Sequence, residues 1–591
     1  MILDAGARYL GRNTCRFRVW APSAEAVGLR LLEPHQALHA MTPLGDGIFE
    51  LTLEGVSPGT LYGYRLPSGV ERPDPASALQ PRGVHGPSAV VDPGFAWSDR
   101  EWKGLDQDKY ILYEVHTGAY TAEGTFDAIV PYLDDLADLG ITAIELMPVA
   151  AFPGSRNWGY DGAFPYAVQA SYGGPSGLKR FVNACHARGL AVALDVVYNH
   201  LGPEGNYLSE FGPYFNPLHQ TPWGAALNFD AAGSETVRAY FIENALRWVN
   251  EFHIDALRLD AIHAIIDDSP THILQELSGR LQGRALLMAE SDLNQVRVIQ
   301  PPPHGLGMNA QWSDDFHHAL HVTLTAETNG YYGDYSGFPD LVEAWAEGFV
   351  YAGQYCPHRR RHHGTSSAQV EPSRLIVFSQ NHDQAGNRFL GERLAHLTDF
   401  ESAKLAAATV ILSPYLPLLF MGEEYGETAP FQYFVSHEDA DLIEAVRHGR
   451  REEFGHFAFD GEVPDPQSEA TFARSKLNHK HGTLRQFYRE LLWLRRRQPA
   501  LAELKRSQME LAAFPDEQVL TVTRRSAAGP EIRVIFNFNR SFASLASVVP
   551  GGDWSTLLDS AERIWEGPGS EYPNSLSPRS VVVIASKTET T

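Results

Sequence analysis

The chain has 591 residues, with 72 acidic against 48 basic side chains and a formal net charge of −24, a balance that disfavours non-specific nucleic-acid binding and suits a neutral or cationic ligand. Its three cysteines, Cys15, Cys185 and Cys356, are far apart and lack C-x-x-C or Cys/His spacing; neither a disulfide framework nor a zinc site is expected, and a reducing cytoplasm fits. The N-terminal M-I-L-D-A-G-A-R is no basic-then-apolar leader, and no run approaches the roughly 18 apolar residues of a membrane span, so a soluble cytoplasmic protein of two or three domains is expected.

Residues 14–66 alternate apolar and polar positions in short runs (C-R-F-R-V-W-A, V-G-L-R-L-L, I-F-E-L-T-L, L-Y-G-Y-R-L) separated by Gly, Pro and Asp. This predicts a β-sandwich over 1–95. The Pro-rich stretch from Pro67 to Pro93 reads as the linker out of it. From Lys109 the pattern becomes strand then helix, repeated: Y-I-L-Y-E-V with a helix over 126–139, I-T-A-I-E-L-M with one over 176–188, L-A-V-A-L-D-V-V with one over 234–251. I-D-A-L-R-L, A-L-L-M-A, a weaker M-N-A-Q-W, R-L-I-V-F-S and L-P-L-L-F-M bring the strands to eight. Eight is the number that closes a (β/α)8 TIM barrel, predicted over 96–498. The basic loop from Cys356 to Ser373, with H-R-R-R-H-H-G, reads as a solvated surface loop before a strand. A helix is predicted over 483–497. Strand patterns then return in V-L-T-V-T-R-R, I-R-V-I-F-N-F and S-V-V-V-I-A, predicting a C-terminal β-sandwich over 499–591.

Three barrel strands end in carboxylates: D-A-L-R-L-D-A places Asp260, L-L-M-A-E-S-D places Glu290, and S-Q-N-H-D-Q places Asp383. The C-terminal ends of barrel strands are where this architecture gathers catalytic groups, although an Asp there can also simply cap the next helix. Arg258 is two residues before Asp260, on the same strand face, where it would keep that carboxylate ionised. Without a phosphate loop or a metal-ligand cluster, the set fits retaining glycoside chemistry. Asp260 suits the nucleophile, and Glu290, after an apolar run that would raise its pKa, suits the acid. Asp383, beside Asn381 and His382, could stabilise the developing positive charge. D-V-V-Y-N-H adds Asp195, Asn199 and His200, with Asp195 read as a supporting group.

D-V-V-Y-N-H, A-L-R-L-D-A, the Glu290 strand end and Q-N-H-D resemble the four ordered signature regions of the α-amylase superfamily. The resemblance implies Asp260 as nucleophile, Glu290 as acid/base and Asp383 as transition-state stabiliser, with Arg258, His200 and His382 around the sugar. Tyr160 in N-W-G-Y-D-G matches the stacking aromatic, followed by Asp161; His263, Gln384 and Asn387 join the expected substrate-binding set. Segments such as T-P-W-G-A-A-L-N-F-D, W-S-D-D-F-H-H-A-L-H and F-M-G-E-E-Y-G-E-T-A-P-F-Q-Y-F are similar to the trehalose-releasing hydrolases of that superfamily. That likeness implies cleavage of the α-1,4 bond next to the terminal trehalose of maltooligosyltrehalose, giving trehalose and a maltooligosaccharide. On this reading Asp314, Asp315, Phe316, His317 and His318 contact the trehalose side, with Trp223, Glu423, Glu424 and Tyr425 as further candidates. Asp292 is an alternative acid. No cofactor and no metal is expected, calcium included. An α-1,4-glucan branching enzyme, or a non-catalytic glucan-binding protein on the same barrel, remain the competing readings.

Overall fold

All eight predicted apolar runs form strands, and they close on one another as a parallel barrel in sequence order. In the computed structural model, which describes residues 3–455, 462–549, 553–569 and 575–587, these are β1 (Leu112–Val115), β2 (Ala143–Leu146), β3 (Ala191–Val196), β4 (Ala256–Leu259), β5 (Leu286–Ala289), β6 (Ala310–Trp312), β7 (Leu375–Val377) and β8 (Leu416–Phe420). Leu112 pairs with Ala143 on one side and with Leu418 on the other, which completes the ring.

The pleat explains how one barrel carries both a core and a site. Leu112, Ala143, Ala193, Ala256, Met288, Ala310, Ile376 and Leu416 form a buried apolar plug inside the barrel. Two residues further along each strand the same face is presented again, and there the sequence supplies Glu114, Glu145, Asp195, Arg258, Glu290 and Trp312. The interior is therefore apolar at its N-terminal end and charged at its C-terminal end.

The predicted helices over 176–188, 234–251 and 483–497 appear as Gly174–His186, Ser234–Phe252 and Thr483–Arg497. The one over 126–139 is broken. A 3-10 turn at Val130–Tyr132 separates Phe126–Ile129 from Leu133–Leu139, because Pro131 has no N–H to give the helical ladder. Among the excursions that reach the barrel's C-terminal face are two hairpins. One is Phe215–Thr221 with Gly224–Leu227, carrying Trp223 at its tip; the other pairs Ala352–Cys356 with Arg361–Gly364.

The N-terminal sandwich has a sheet in the order Gly6–Gly11, Thr14–Trp20, Ile48–Glu54, Thr42–Gly45, facing a second built on Gly28–Glu33 and Leu61–Arg65. The Pro67–Pro93 stretch is no free linker: Glu71–Arg72 and Ser88–Ala89 both pair with Leu61–Arg65. Within it, buried Asp74 accepts hydrogen bonds from the Tyr62 hydroxyl at 2.7 Å and the Tyr64 hydroxyl at 3.3 Å. In the C-terminal sandwich the three predicted strands are Val519–Arg524, Ile532–Asn537 and Ser580–Ser586, flanked by Met509–Phe514 and Trp554–Asp559 in a five-stranded sheet. Lys404, on the barrel helix Phe400–Ile411, donates to the carbonyl of Ser560 at 2.7 Å and ties that sandwich on.

Candidate active site

Arg258 is fully buried at the end of β4 and organises the carboxylates around it. Its Nη1 donates to Asp195 Oδ2 at 2.7 Å and to Asp260 Oδ1 at 2.8 Å, and its Nη2 lies 3.6 Å from Glu290 Oε2. The guanidinium is also stacked over Trp312, 4.4 Å from the ring centroid. Asp260 and Glu290 thus flank adjacent nitrogens of one planar fork. Asn199 donates from Nδ2 to Asp260 Oδ2 and to the Asp260 carbonyl, both at 2.8 Å. The amide is committed to that carboxylate.

Directly after Asp260, Ala261 takes a left-handed conformation with φ of 39°, which costs a non-glycine residue on the order of 1–2 kcal/mol. The turn aims the Ala261 N–H at Glu290 Oε2. Strain of this kind is retained where the surroundings over-determine it. Burial drives the Glu290 pKa well above the ordinary carboxylate value; Arg258 opposes the shift, while Asp260, Asp314 and Asp383 add to it. Asp195 is pushed up to about 6, chiefly by burial and against Arg258.

Beneath the site runs a chain of polar contacts. Tyr160 donates its hydroxyl to Asp195 Oδ2 at 2.7 Å and lies 2.8 Å from His382 Nε2; His382 Nδ1 lies 2.5 Å from Glu114 Oε1. Burial opposes charge on His382, but Glu114 and Asp383 outweigh it and its pKa is pushed up to about 9. A protonated His382 donates from Nε2 to the Tyr160 oxygen, leaving that hydroxyl free to donate to Asp195. Because the folded value lies above the ordinary 6.5, this charge stabilises the fold fully below about pH 6.5, and the contribution is lost as pH rises through about 9. His382→Gln is therefore expected to flatten the decline of the urea midpoint between pH 6.5 and 9. An unchanged slope in the variant would remove His382 from this account.

Asp383 sits in the first turn of the short helix His382–Gly386, capped by Asn381, whose side chain accepts from the backbone N–H of Asp383 and Gln384. It remains 44% exposed, the most open of the three carboxylates, with His382 Nε2 3.6 Å away and Asn387 Nδ2 donating to it at 3.2 Å. Gln384 links this turn to Asp314, Nε2 to Oδ1 at 3.4 Å. His200 is buried, with Nε2 3.0 Å from the carbonyl of Tyr160. Its ring stacks under the half-exposed Trp223, centroids 5.3 Å apart. Asp161, next to Tyr160, accepts from Asn157 Nδ2 at 2.6 Å.

Residues 94–217 match the α-amylase catalytic-domain family, and residues 4–75 match carbohydrate-binding module 48, the isoamylase N-terminal domain. A malto-oligosyltrehalose trehalohydrolase from Saccharolobus solfataricus is 48% identical over 490 residues, covering 82% of this chain and 86% of that one. The chain belongs to the malto-oligosyltrehalose trehalohydrolase family. A 1.4 Å crystal structure of an α-amylase-type protein from Salmonella typhimurium matches with a TM-score of 0.89 at 40% identity, over 99% of this chain and 100% of that one. A 1,4-α-glucan branching enzyme from Corynebacterium efficiens is more distant, 25% identical over 96% of this chain and 77% of its own.

For a trehalohydrolase-family chain, the segment 314–318 divides in a way the sequence reading did not foresee. It opens the helix Asp314–Thr325, whose cap Ser313 accepts from the Phe316 N–H. Asp314 and His318, four residues apart, share the outward face; both are partly exposed. Burial, with Asp292 and Asp383 nearby, raises Asp314 to about 7. Asp315, Phe316 and His317 point inward, so the expected sugar contacts there are corrected. Asp315 accepts from Tyr335, Asn294, and the N–H groups of Val350 and Tyr351 at 2.5–2.8 Å. Phe316 is fully buried, and both His317 nitrogens are engaged, by the Ser379 carbonyl at 2.7 Å and the Tyr332 hydroxyl at 2.9 Å. Asp315→Ala strands four buried donors and is expected to cost on the order of 3 kcal/mol of stability, read as a lowered urea midpoint; a midpoint equal to wild type would refute the bracing role.

Glu423 is likewise internal. It accepts from the Phe420 N–H at 3.1 Å and Gln380 Nε2 at 3.3 Å. Glu424 lies buried under the Tyr113 hydroxyl, and Tyr425 bonds Glu427. Asp292 does not fit an acid: against burial, His263 at 3.7 Å and Arg359 at 2.8 Å hold its pKa below the usual value. Arg359 comes from the basic H-R-R-R-H-H segment, which is thereby a paired hairpin beside the site and no plain solvated loop.

Glu114, Glu145 and Trp312 were missed as site residues. The signal was present: a lone carboxylate inside Y-I-L-Y-E-V and I-T-A-I-E-L-M is as informative as one at a strand end. Among the described residues no helix is long and apolar enough to cross a membrane.

Proposed function

We propose that this chain is a retaining glycoside hydrolase that cuts the α-1,4 bond next to the terminal trehalose of maltooligosyltrehalose, releasing trehalose and a maltooligosaccharide. The reading of the substrate rests on family membership. The reading of the mechanism rests on one observation, the Arg258 fork that holds Asp260 and Glu290 side by side, with burial pushing the Glu290 pKa well up.

Asp260, paired with Arg258 and Asn199, attacks the anomeric carbon as the glycosidic bond breaks. Glu290 gives its proton to the departing trehalose oxygen. Glu290 then takes a proton from water, which attacks the glycosyl-enzyme bond, frees Asp260 and restores the α configuration. Asp383, open to the pocket, faces the positive charge that builds at the sugar ring. Tyr160, with its hydroxyl fixed by Asp195, offers its ring to the sugar, and His200, Arg258 and His382 frame it. His263, Gln384 and Asn387 supply polar edges around the pocket, with Asp161 next to Tyr160. Of 314–318, Asp314 and His318 are the members assigned here to the trehalose side, a reading supported by their partial exposure. The domains assigned are 1–95, 96–498 and 499–591, and three buried free cysteines suit a cytoplasmic location.

The test compares kcat/KM on maltotriosyltrehalose and maltopentaose, which have equal numbers of glucose units. Binding energy from the trehalose end expressed in the transition state favours the first by roughly tenfold or more. Equal values, or new α-1,6 branches on amylose, would return the chain to general glucan chemistry.

A further inference from the structure

Glu145 takes no part in the steps above, yet it is a buried carboxyl inside the barrel, just below the reacting groups. On β2 it stands level with Glu114 of β1 on one side and with Ala193 of β3 on the other. Asp195 follows Ala193 by two residues, so it shares that inward face one step nearer the pocket, where the register pairs it with Arg258. Glu145 therefore lies under the contact between Asp195 and Arg258.

Hydrogen bonds are shared unevenly among these inner carboxyls. Glu114 is engaged at both oxygens, with His382 Nδ1 2.5 Å from Oε1 and the His382 backbone N–H donating to Oε2 at 2.9 Å. Asp195 is engaged at one: Oδ2 accepts from Tyr160 and Arg258, both at 2.7 Å, whereas Oδ1 is buried without a partner. Glu145 also buries an oxygen, Oε2, that has no partner. Two orphaned acceptors in one enclosed layer are unfavourable, and a proton between them relieves both. A carboxylate has no proton to give, but a carboxylic acid has one.

The charges point the same way. Burial, followed by the Glu114 charge, drives the Glu145 pKa well above the ordinary carboxylate value; Asp195 adds to the shift, while Arg258 and His382 oppose it. Both of those cations are committed elsewhere, Arg258 to Asp195 and Asp260, His382 to Glu114. Neither is left to pair with an ionised Glu145.

We propose that Glu145 is a positioning residue, a carboxylic acid that stays protonated in the working enzyme and donates to Asp195 Oδ1, so that Asp195 remains the anion that holds Arg258 and Tyr160. The proposal deepens the mechanism above and rests on it for the roles of Arg258 and Asp260. Glu145→Met keeps an unbranched side chain of similar length and removes the donor. Asp195, already pushed up to about 6 chiefly by burial, then protonates at still higher pH, and Arg258 loses its anion.

The expected result for Glu145→Met is a kcat for trehalose release from maltotriosyltrehalose roughly ten- to a hundredfold lower, with KM little changed. The acid limb of its pH profile should move up by about one unit. Glu145→Gln, whose amide donates in place of the acid, should recover most of the rate and return the acid limb to its wild-type position. Infrared difference spectra of wild type against Glu145→Gln, recorded without substrate, read the proton itself: the C=O stretch of a protonated carboxyl should disappear. Loss of a carboxylate band instead would overturn the proposal. So would a Glu145→Gln enzyme with the acid limb displaced, or a folded Glu145→Met enzyme with the wild-type rate and profile. If Glu145→Met does not fold, the spectrum and pH profile of Glu145→Gln still decide. A wild-type enzyme that releases no trehalose would count against the hydrolase reading alone, because the infrared result needs no substrate.

Discussion

Asp260→Ala should lose turnover of maltooligosyltrehalose by roughly four orders of magnitude or more, while the protein stays folded. The loss follows from removing the carboxylate that Arg258 and Asn199 jointly hold at the strand end, and with it the group that forms the glycosyl-enzyme bond. The fold should survive for a local reason. Arg258 keeps its 2.7 Å partner Asp195, so no buried cation is left alone, and Asn199 still donates to the residue-260 carbonyl. Circular dichroism and the urea midpoint check the fold, and product release checks the chemistry. Substantial activity in a folded Asp260→Ala protein would remove the nucleophile from this account.

Glu290→Gln should produce the second largest loss, about a hundred- to ten-thousandfold on natural substrates. The amide oxygen can still accept from the Ala261 N–H, so the strained turn after Asp260 is preserved; what disappears is the proton. Two consequences distinguish this from general damage. An aryl glucoside, whose leaving group needs no protonation, should suffer less than maltooligosyltrehalose. The pH profile should change shape as well. Wild-type activity falls as pH rises through the Glu290 pKa, which burial displaces upward, and the variant should lack that alkaline limb. Equal losses on both substrates with an unchanged profile would exclude Glu290 as the acid.

The barrel was legible because each strand is a short apolar run bounded by turn residues, and because four of those runs lead into polar motifs that together, in order, resemble one superfamily's signatures. The charged inner layer was only half legible. Asp260 and Glu290 stand at strand ends, where attention falls, whereas Glu114 and Glu145 lie within their strands and read as exceptions in an apolar run. Their meaning appears once the register pairs Glu114 with Glu145 and the closed barrel brings Glu145 under the influence of the Arg258 and Asp195 charges. The segment 314–318 failed differently. A capped helix start and a sugar-binding loop use the same polar and aromatic residues, and only helical rotation separates Asp314 and His318, on the open face, from the three residues turned inward. Likewise Arg359 and Trp223 reach the site on hairpins whose docking no local pattern encodes, since register and packing across distant segments decide it.

The most direct test of the central claim is proton NMR of maltotriosyltrehalose hydrolysis, followed from the first minutes before the released sugar mutarotates. Release of trehalose together with maltotriose as the α-anomer is the predicted result, since it requires both cleavage next to the trehalose unit and a double displacement at Asp260. First release of β-maltotriose would mean an inverting carboxylate pair and a wrong nucleophile, and the absence of free trehalose would contradict the assigned reaction itself.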